Sequence, residues 1–301
     1  MKNYIVFDIG GSSTKVAIIK ENSEIIKKDS IRAEANDFEK FKALLIGEIE
    51  KAKEEYNIDG VAISAPGAVN SEMGSISGSS ALPCINDHNF KKIFGEDLGL
   101  KLEIENDANC AALGEVWLGA AKYNSDVLFI VCGTGIGGAV IKDKKIHKGK
   151  HLFGGEFGIA VLETEGKGDD LTFKTWSNLG ATSSIGRRIA EAKGIDKSEI
   201  DGKKAFEMAE AGDEDAIKAI DEFYFNNALG IFNLQYIYDP EKIIIGGAIS
   251  NREDFIERIN EKIDLIMSKI KVATIRPKIA KCMFRNDANL LGALFNYLQR
   301  N

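Results

Sequence analysis

Val127-Leu128-Phe129-Ile130-Val131-Cys132-Gly133-Thr134-Gly135-Ile136-Gly137-Gly138-Ala139-Val140-Ile141 supports two readings that lead to different folds. Residues 133–138 fit G-x-G-x-x-G behind an apolar run, as a dinucleotide-binding turn would. That fingerprint needs a helix opening at its third glycine. Ala139-Val140-Ile141 is β-like instead and stops at the charged turn Lys142-Asp143-Lys144-Lys145, so the stretch predicts strand, glycine turn, strand. Such a hairpin can cradle phosphate, because glycine lets backbone N–H groups approach an anion closely. The chain opens on the same unit: Tyr4 to Asp8 reads as a buried strand, Gly10-Gly11-Ser12-Ser13 as a tight turn and Thr14 to Ile19 as the returning strand.

Outward from these hairpins, Ile25 to Ile31 predicts a third strand. Phe38, Phe41, Leu45, Ile49, Ala52 and Tyr56 recur at helical spacing behind an Asn36-x-x-Glu39 pair able to cap a helix start. Val61 to Ser64 and Leu102 to Glu105 read as strands, ending at Ala65-Pro66-Gly67 and at Asn106-Asp107, and a helix is expected from Ala108 to about Leu118. The later chain turns helical at Thr182 to Lys193, Lys203 to Ala211, Asp213 to Tyr238 and Asp254 to Ile270. Ile243-Ile244-Ile245 and Lys278 to Met283 read as strands, and Ala288 to Leu298 as a closing helix. Both halves are α/β.

Composition narrows the function. The 301 residues suit two domains, and with 44% hydrophobic and 28% charged residues there is ample material for cores. Thirty-nine basic against 46 acidic residues give a net charge of -7 with no basic stretch interleaved with aromatics, so no nucleic-acid partner is expected. No apolar run approaches the ~20 residues of a membrane span. Met1-Lys2-Asn3 passes directly into the first strand without a signal-peptide pattern, so a cytoplasmic location is expected. Cys84, Cys110, Cys132 and Cys282 form no C-x-x-C and do not pair with His88, His147 or His151 in a zinc spacing, so reduced, packed thiols are expected.

Asp8-Ile9-Gly10-Gly11-Ser12-Ser13-Thr14-Lys15 sets a carboxylate, a side-chain-free turn, hydroxyls and a cation together. This is either a phosphate grip, with the carboxylate holding hydrated magnesium, or an ordinary Gly-Gly hairpin. The Walker pattern is absent.

Five motifs in this order resemble the ROK family (repressor, open reading frame, kinase) across almost the entire chain: Asp8-Ile9-Gly10-Gly11, Glu105-Asn106-Asp107-Ala108-Asn109 running on to Gly114-Glu115, Gly133 to Gly138, Gly154-Gly155-Glu156-Phe157-Gly158, and Ile244-Ile245-Gly246-Gly247-Ala248-Ile249. The resemblance implies an actin-like, ribonuclease H-type fold. Its two α/β domains, 1–118 completed by a helix at 288–301 and 119–287, would flank a cleft where ATP and a sugar meet. It implies Asp107 as general base for a sugar hydroxyl, usually on C6, although Asn106 or Asp107 before an apolar helix is also ordinary N-cap chemistry. Gly67, Asn106, Asp107 and Glu156 would contact the sugar. Asp8, Gly10, Gly11, Ser12, Thr14, Lys15, Gly133, Thr134, Gly135, Gly137, Gly138, Gly246, Gly247 and Ala248 would contact ATP, with Mg²⁺ on Asp8 through water. For Gly246-Gly247-Ala248 the competing reading is helix–strand packing. Family members are commonly homodimers, and that expectation carries over.

The sequence departs from the family where zinc-bearing members bind their metal. Ile159 stands at the histidine position, residues 169–181 hold no cysteine, Ser177 falls at a second sugar-binding glutamate and Ala81 replaces an asparagine before Leu82-Pro83. No structural zinc is expected. Zinc-free members with Gly-Gly-Glu-Phe-Gly are similar to N-acetylmannosamine kinases and to β-glucoside kinases, and the reading leans to the former, with glucokinase or β-glucoside kinase as the alternative. A repressor would carry a helix-turn-helix before the first strand, where this sequence has three residues. A non-catalytic sugar sensor is the remaining rival, against which Asp8, Lys15 and Asp107 are all retained.

Overall fold

Apolar, β-branched runs bounded by glycine or charged turns form strands, and the three-and-four spacing forms helices. A computed structural model describes residues 1–32, 37–78 and 82–301, the side chains of 96 and 97 excepted. Strands β1 (Asn3–Ile9), β2 (Ser13–Lys20) and β3 (Ile25–Arg32) precede helix α1 (Phe38–Glu55). Next come β4 (Ile58–Ala65), β5 (Ala68–Asn70), β6 (Ser75–Ser77), α2 (Phe90–Leu98), β7 (Leu102–Asn106) and α3 (Asp107–Trp117). The chain continues through β8 (Val127–Cys132), β9 (Ile136–Lys142), β10 (Lys145–Ile146), β11 (Val161–Glu165) and β12 (Thr172–Thr175). Helices α4 (Trp176–Gly180), α5 (Thr182–Lys193), α6 (Gly202–Glu210) and α7 (Glu214–Tyr238) lead to β13 (Lys242–Gly246), α8 (Phe255–Lys269), β14 (Ile279–Lys281) and α9 (Ala288–Arg300). The chain forms two compact units: Met1–Tyr123 with Ile141–Gly154 and Met283–Asn301, and Asn124–Val140 with Gly155–Cys282.

The first unit's sheet runs β3-β2-β1-β4-β7. Its first three strands are antiparallel neighbours, while β4 lies parallel to β1 and β7 parallel to β4. Alternation along β1 buries both faces. Ile5 and Phe7 join Phe41, Leu45, Phe90 and Phe94 of α1 and α2, whereas Tyr4 and Val6 join Cys110, Leu290, Leu294 and Tyr297 of α3 and α9. The crossing of α3 and α9 needs glycine: a Cβ on Gly114 would stand 2.5 Å from the Ala288 carbonyl, and one on Gly292 would strike the Cys110 carbonyl. Buried Glu115 fixes the returning chain, its Oε1 accepting from Met283 N and Phe284 N, each at 2.8 Å. Helix α1 is capped by Asp37, which accepts from Lys40 N at 3.1 Å; Asn36 lies outside the described residues, as does Ala81.

The second sheet order, β10-β9-β8-β13-β14, repeats the first strand for strand, again with β13 parallel to β8 and to β14. Both sheets are open, and this is the strand order of the expected ribonuclease H-like fold, built twice. Strands β9 and β10 are joined by Asp143 and Lys144, both at positive φ (53° and 59°), as a two-residue hairpin requires. The core beneath this sheet sets Trp176, Phe223, Tyr224, Phe255 and Ile259 against Leu128, Ile130, Ile243 and Ile245. Trp176 donates to Asn227 Oδ1 at 3.1 Å, and its ring fills the space left by Gly180 and Gly230.

Candidate active site

The parallel and antiparallel registers of β1 place Asp8 opposite Lys15 on one side and Ser64 on the other. Asp8 Oδ2 accepts from Lys15 Nζ at 2.8 Å, and Oδ1 accepts from Ser64 Oγ and from Asn289 Nδ2, each at 2.9 Å. Lys15 also donates to the Asn286 carbonyl at 3.1 Å. Gly10 N closes the turn on Ser13 O at 3.0 Å, and a Cβ on Gly10 would lie 2.9 Å from that same carbonyl. Gly11 and Ser12 at the tip are exposed. Thr14 is fully buried, and among the described residues its hydroxyl finds no partner.

The junction of β7 and α3 separates the roles of two neighbours. Asn106 is the N-cap: its Oδ1 accepts from Asn109 N at 3.2 Å, and its Nδ2 donates to the carbonyl of Gly67, a residue held at φ 99°. Asp107 therefore sits in the first helical turn rather than capping it, with Oδ1 accepting from Ala108 N at 2.8 Å. Burial raises its pKa above the ordinary value of 3.8, and the charge of Asp8 pushes the same way. Burial, with the charges of Glu105, Asp8 and Asp107, also pushes the Cys110 thiol well up, so that cysteine stays protonated and inert. Beneath the pair lies a network that no sequence spacing announces. Glu105, 1% exposed, accepts from Asn106 N (2.8 Å) and Asn109 Nδ2 (3.0 Å) with one oxygen, and from Ser71 Oγ and Lys148 Nζ (2.7 Å each) with the other.

In the second unit, Gly133, Thr134 and Gly135 turn the chain between β8 and β9, with Gly133 N donating to Gly135 O at 2.9 Å. The glycines there differ in kind. A Cβ on Gly133 or Gly137 would meet nothing, and one on Gly135 only Ser177 Oγ at 3.8 Å, so the fold does not demand glycine at these three positions. On Gly138 it would run into the Phe157 ring. The hairpin is braced by Ser177, whose Oγ accepts from Ile136 N at 3.0 Å, and by the start of α5. There Thr182 N and Oγ1 donate to Gly133 O at 2.8 Å, and Ser183 Oγ donates to Thr134 O at 2.8 Å.

Ala181 caps α5 without a side-chain bond, and because Thr182 N and Ser184 N donate to the carbonyls of Gly133 and Ala181, the helix start offers an anion the Ser183 N–H. Beside it a cavity of about 490 Å³ is lined by Thr134, Thr182, Ser183, Arg187, Lys197 and Asp201. The two cations and the α5 hydroxyls escaped sequence reading, because they lie some 50 residues from the glycines they face. Glu156 is exposed and follows Gly155, whose φ of 106° presses it against Gly138. Gly247, at φ 96°, is forced to be glycine by the Cys132 carbonyl, yet it and Ala248 present an exposed edge, while Gly246 is buried against Phe129.

Among the described residues, no group of three or more His, Cys, Asp or Glu could hold a metal ion, and no helix is long and apolar enough to cross a membrane. Asp8 offers a carboxylate at the end of β1, beside the glycine turn, for a nucleotide's magnesium. With both oxygens already held by Lys15, Ser64 and Asn289, it fits an ion reached through water.

The sequence profile of the ROK family matches residues 4–300. A β-glucoside kinase of Listeria monocytogenes is 33% identical over 297 residues, covering 97% of this chain and 96% of that one. An N-acetyl-D-glucosamine kinase of Photobacterium profundum is 26% identical over 310 residues, covering 97% and 98%. The crystal structure of a ROK family protein from Streptococcus pneumoniae in complex with sucrose superimposes with a TM-score of 0.89 at 34% identity, covering 99% and 98%. Two open α/β sheets of matching order and a profile match along nearly the whole length agree, and the chain belongs to the ROK family, as an ATP-dependent carbohydrate kinase.

Proposed function

We propose that this kinase phosphorylates the C6 hydroxyl of a glucoside, with a β-linked disaccharide such as cellobiose as its best substrate. The observation that carries the substrate class is identity along the full chain, higher with the β-glucoside kinase than with the N-acetyl-D-glucosamine kinase. The sucrose held by the similar Streptococcus protein supports a pocket that takes more than one sugar ring. This replaces the leaning toward N-acetylmannosamine drawn from the zinc-free motif alone.

In this reading Asp107 accepts the O6 proton as O6 attacks the γ-phosphorus. The bond from phosphorus to the β,γ-bridging oxygen breaks, ADP departs with the electron pair, and the proton passes from Asp107 to water. A pKa raised by burial makes Asp107 a stronger base than an exposed aspartate. Asn106, held by Gly67 and by its cap bond, and the exposed Glu156 orient sugar hydroxyls. The backbone N–H groups of Thr134 and Gly135 and that of Ser183 at the start of α5 donate to phosphate oxygens, and the adjoining cavity takes the nucleoside, with Arg187 and Lys197 at its wall. Magnesium bound with ATP neutralises phosphate charge. Asp8 would hold it through water, and Lys15 keeps Asp8 oriented.

ADP release with Mg-ATP, measured against cellobiose, glucose, N-acetylmannosamine and N-acetylglucosamine, tests this. The highest kcat/KM is expected on cellobiose. A preference for N-acetylmannosamine would overturn the glucoside assignment and leave the mechanism standing, whereas silence on every sugar despite binding would make the chain a sensor.

A further inference from the structure

Within the first unit, a cavity of about 390 Å³ opens between the C-terminal end of α9, the β5–β6 turn and β10, outside every residue assigned above to sugar or nucleotide. Its wall has spare donors and no spare carboxylate. Asn296 on α9 is 5% exposed, and among the described residues its Nδ2 finds no acceptor, which is costly for a buried amide. Three cations line the space, Lys145, Lys148 and Arg300, against two carboxylates, Glu72 and Glu105. Glu105 is held by Lys148, Ser71, Asn109 and Asn106, and Glu72 by Arg300 at 2.7 Å. Lys145 makes no ion pair with the described residues. Leu152, on the facing loop, is held at φ 66°, a conformation that L side chains rarely adopt.

A guest that completes this wall must bring acceptors and a negative charge. A neutral sugar brings as many donors as acceptors and leaves the surplus cation unmatched. We propose that the cavity binds the phosphoryl group of a small molecule, either inorganic phosphate or a sugar phosphate, with Asn296 Nδ2 and Lys145 Nζ as its principal donors. The site is coupled to the reaction centre. An anion competing for Lys148 and Ser71 weakens their hold on Glu105, and Glu105 holds the backbone N–H of Asn106 at the start of α3. Occupancy therefore raises the KM for sugar and leaves kcat little changed.

Calorimetry with inorganic phosphate and, separately, with glucose 6-phosphate, on the nucleotide-free full chain, tests the binding whichever sugar the enzyme prefers. Asn296→Leu and the exposed-site variant Lys145→Ala should each weaken phosphate binding at least tenfold, keep the phosphate-free kcat, and abolish the rise in KM that phosphate causes in the parent. Lys145→Ala keeps the test valid should the buried substitution fail to fold. Binding of glucose 6-phosphate alone would identify the sugar phosphate as the ligand, provided both variants weaken it. Phosphate or sugar phosphate binding that neither variant weakens would place the anion elsewhere and overturn the proposal. Absence of binding by both probes would do the same, leaving a buried water as the partner of Asn296.

Discussion

Two carboxylates at the ends of β1 and β7, strands separated by β4, are treated differently by their surroundings: Asp8 and Asp107. Asp8 is paired with Lys15 and held by two neutral donors, while Asp107 accepts from Ala108 N in a buried setting with the charge of Asp8 to contend with. Asp107→Asn removes the proton acceptor at nearly constant shape, so kcat should fall by about 10²–10⁴ with ATP affinity kept. Single-turnover ADP formation beside nucleotide titration checks both. The acid limb of kcat/KM should lie above the ordinary aspartate value of 3.8, because the folded enzyme resists ionising this group.

Stability moves the other way from activity. A carboxyl whose folded pKa exceeds its unfolded one destabilises the fold as pH rises between the two values, and the cost stays in full above the upper one. Asp107→Asn should therefore raise Tm at pH 7 and leave it nearly unchanged below pH ~4; equal shifts at both pH values would contradict the assignment. At the hairpin, Gly137→Ala should cost activity with little change in Tm, since the fold leaves room for its Cβ, whereas Gly138→Ala drives a methyl into Phe157 and should lower stability by about 1–3 kcal/mol. A matched pair of melting curves and ATP titrations separates the two glycines.

Elements were legible where their own sequence carries the period. The hairpins at residues 4–19 and 127–141, the helix over Phe38–Glu55 and the long α7 follow from alternation, turn chemistry and helical spacing, with ends within a residue or two of those expected except that β9 begins at Ile136, three residues before the expected Ala139, so that Gly137 and Gly138 lie in the strand. What stayed illegible depends on distant partners. The β5–β6 and β11–β12 hairpins are too short to show a period. Glycines in helices read as propensity losses until their neighbours are known. Gly230 of α7 is the clearest case, because a Cβ there would lie 2.5 Å from Cζ2 of the Trp176 indole, and nothing within α7 signals it. Of the candidate site, the motif residues were readable, whereas Ser64 and Asn289 on Asp8, and Lys148 on Glu105, come from chain segments 43 to 281 residues away. Gly230→Ala should destabilise the second unit by about 1–3 kcal/mol and disturb Trp176, which donates to Asn227. Loss of Tm together with a changed tryptophan emission is the expected result, and an unchanged spectrum would mean that α7 yields instead.

At the scale of the whole molecule, the same five-strand order is built twice, but the units close differently along the chain. The first is assembled from three segments, and its last, Met283–Asn301, supplies α9. That helix buries Leu290, Leu291, Leu294 and Tyr297, places Asn289 on Asp8, and crosses α3 at Gly114 and Gly292. Burying one such side chain stabilises by about 1.5–3 kcal/mol, so removing four forfeits roughly 6–12 kcal/mol, comparable with the entire ~5–15 kcal/mol that holds a domain folded. A chain ending at residue 287 should therefore lose the first unit and all kinase activity. The second unit draws its core from other segments and should still fold, giving a smaller cooperative transition and a protease-resistant fragment within residues 124–282. If the truncated chain melts as the full one does, or still phosphorylates sugar, α9 is not the keystone that its buried leucines and the Asn289–Asp8 bond make it.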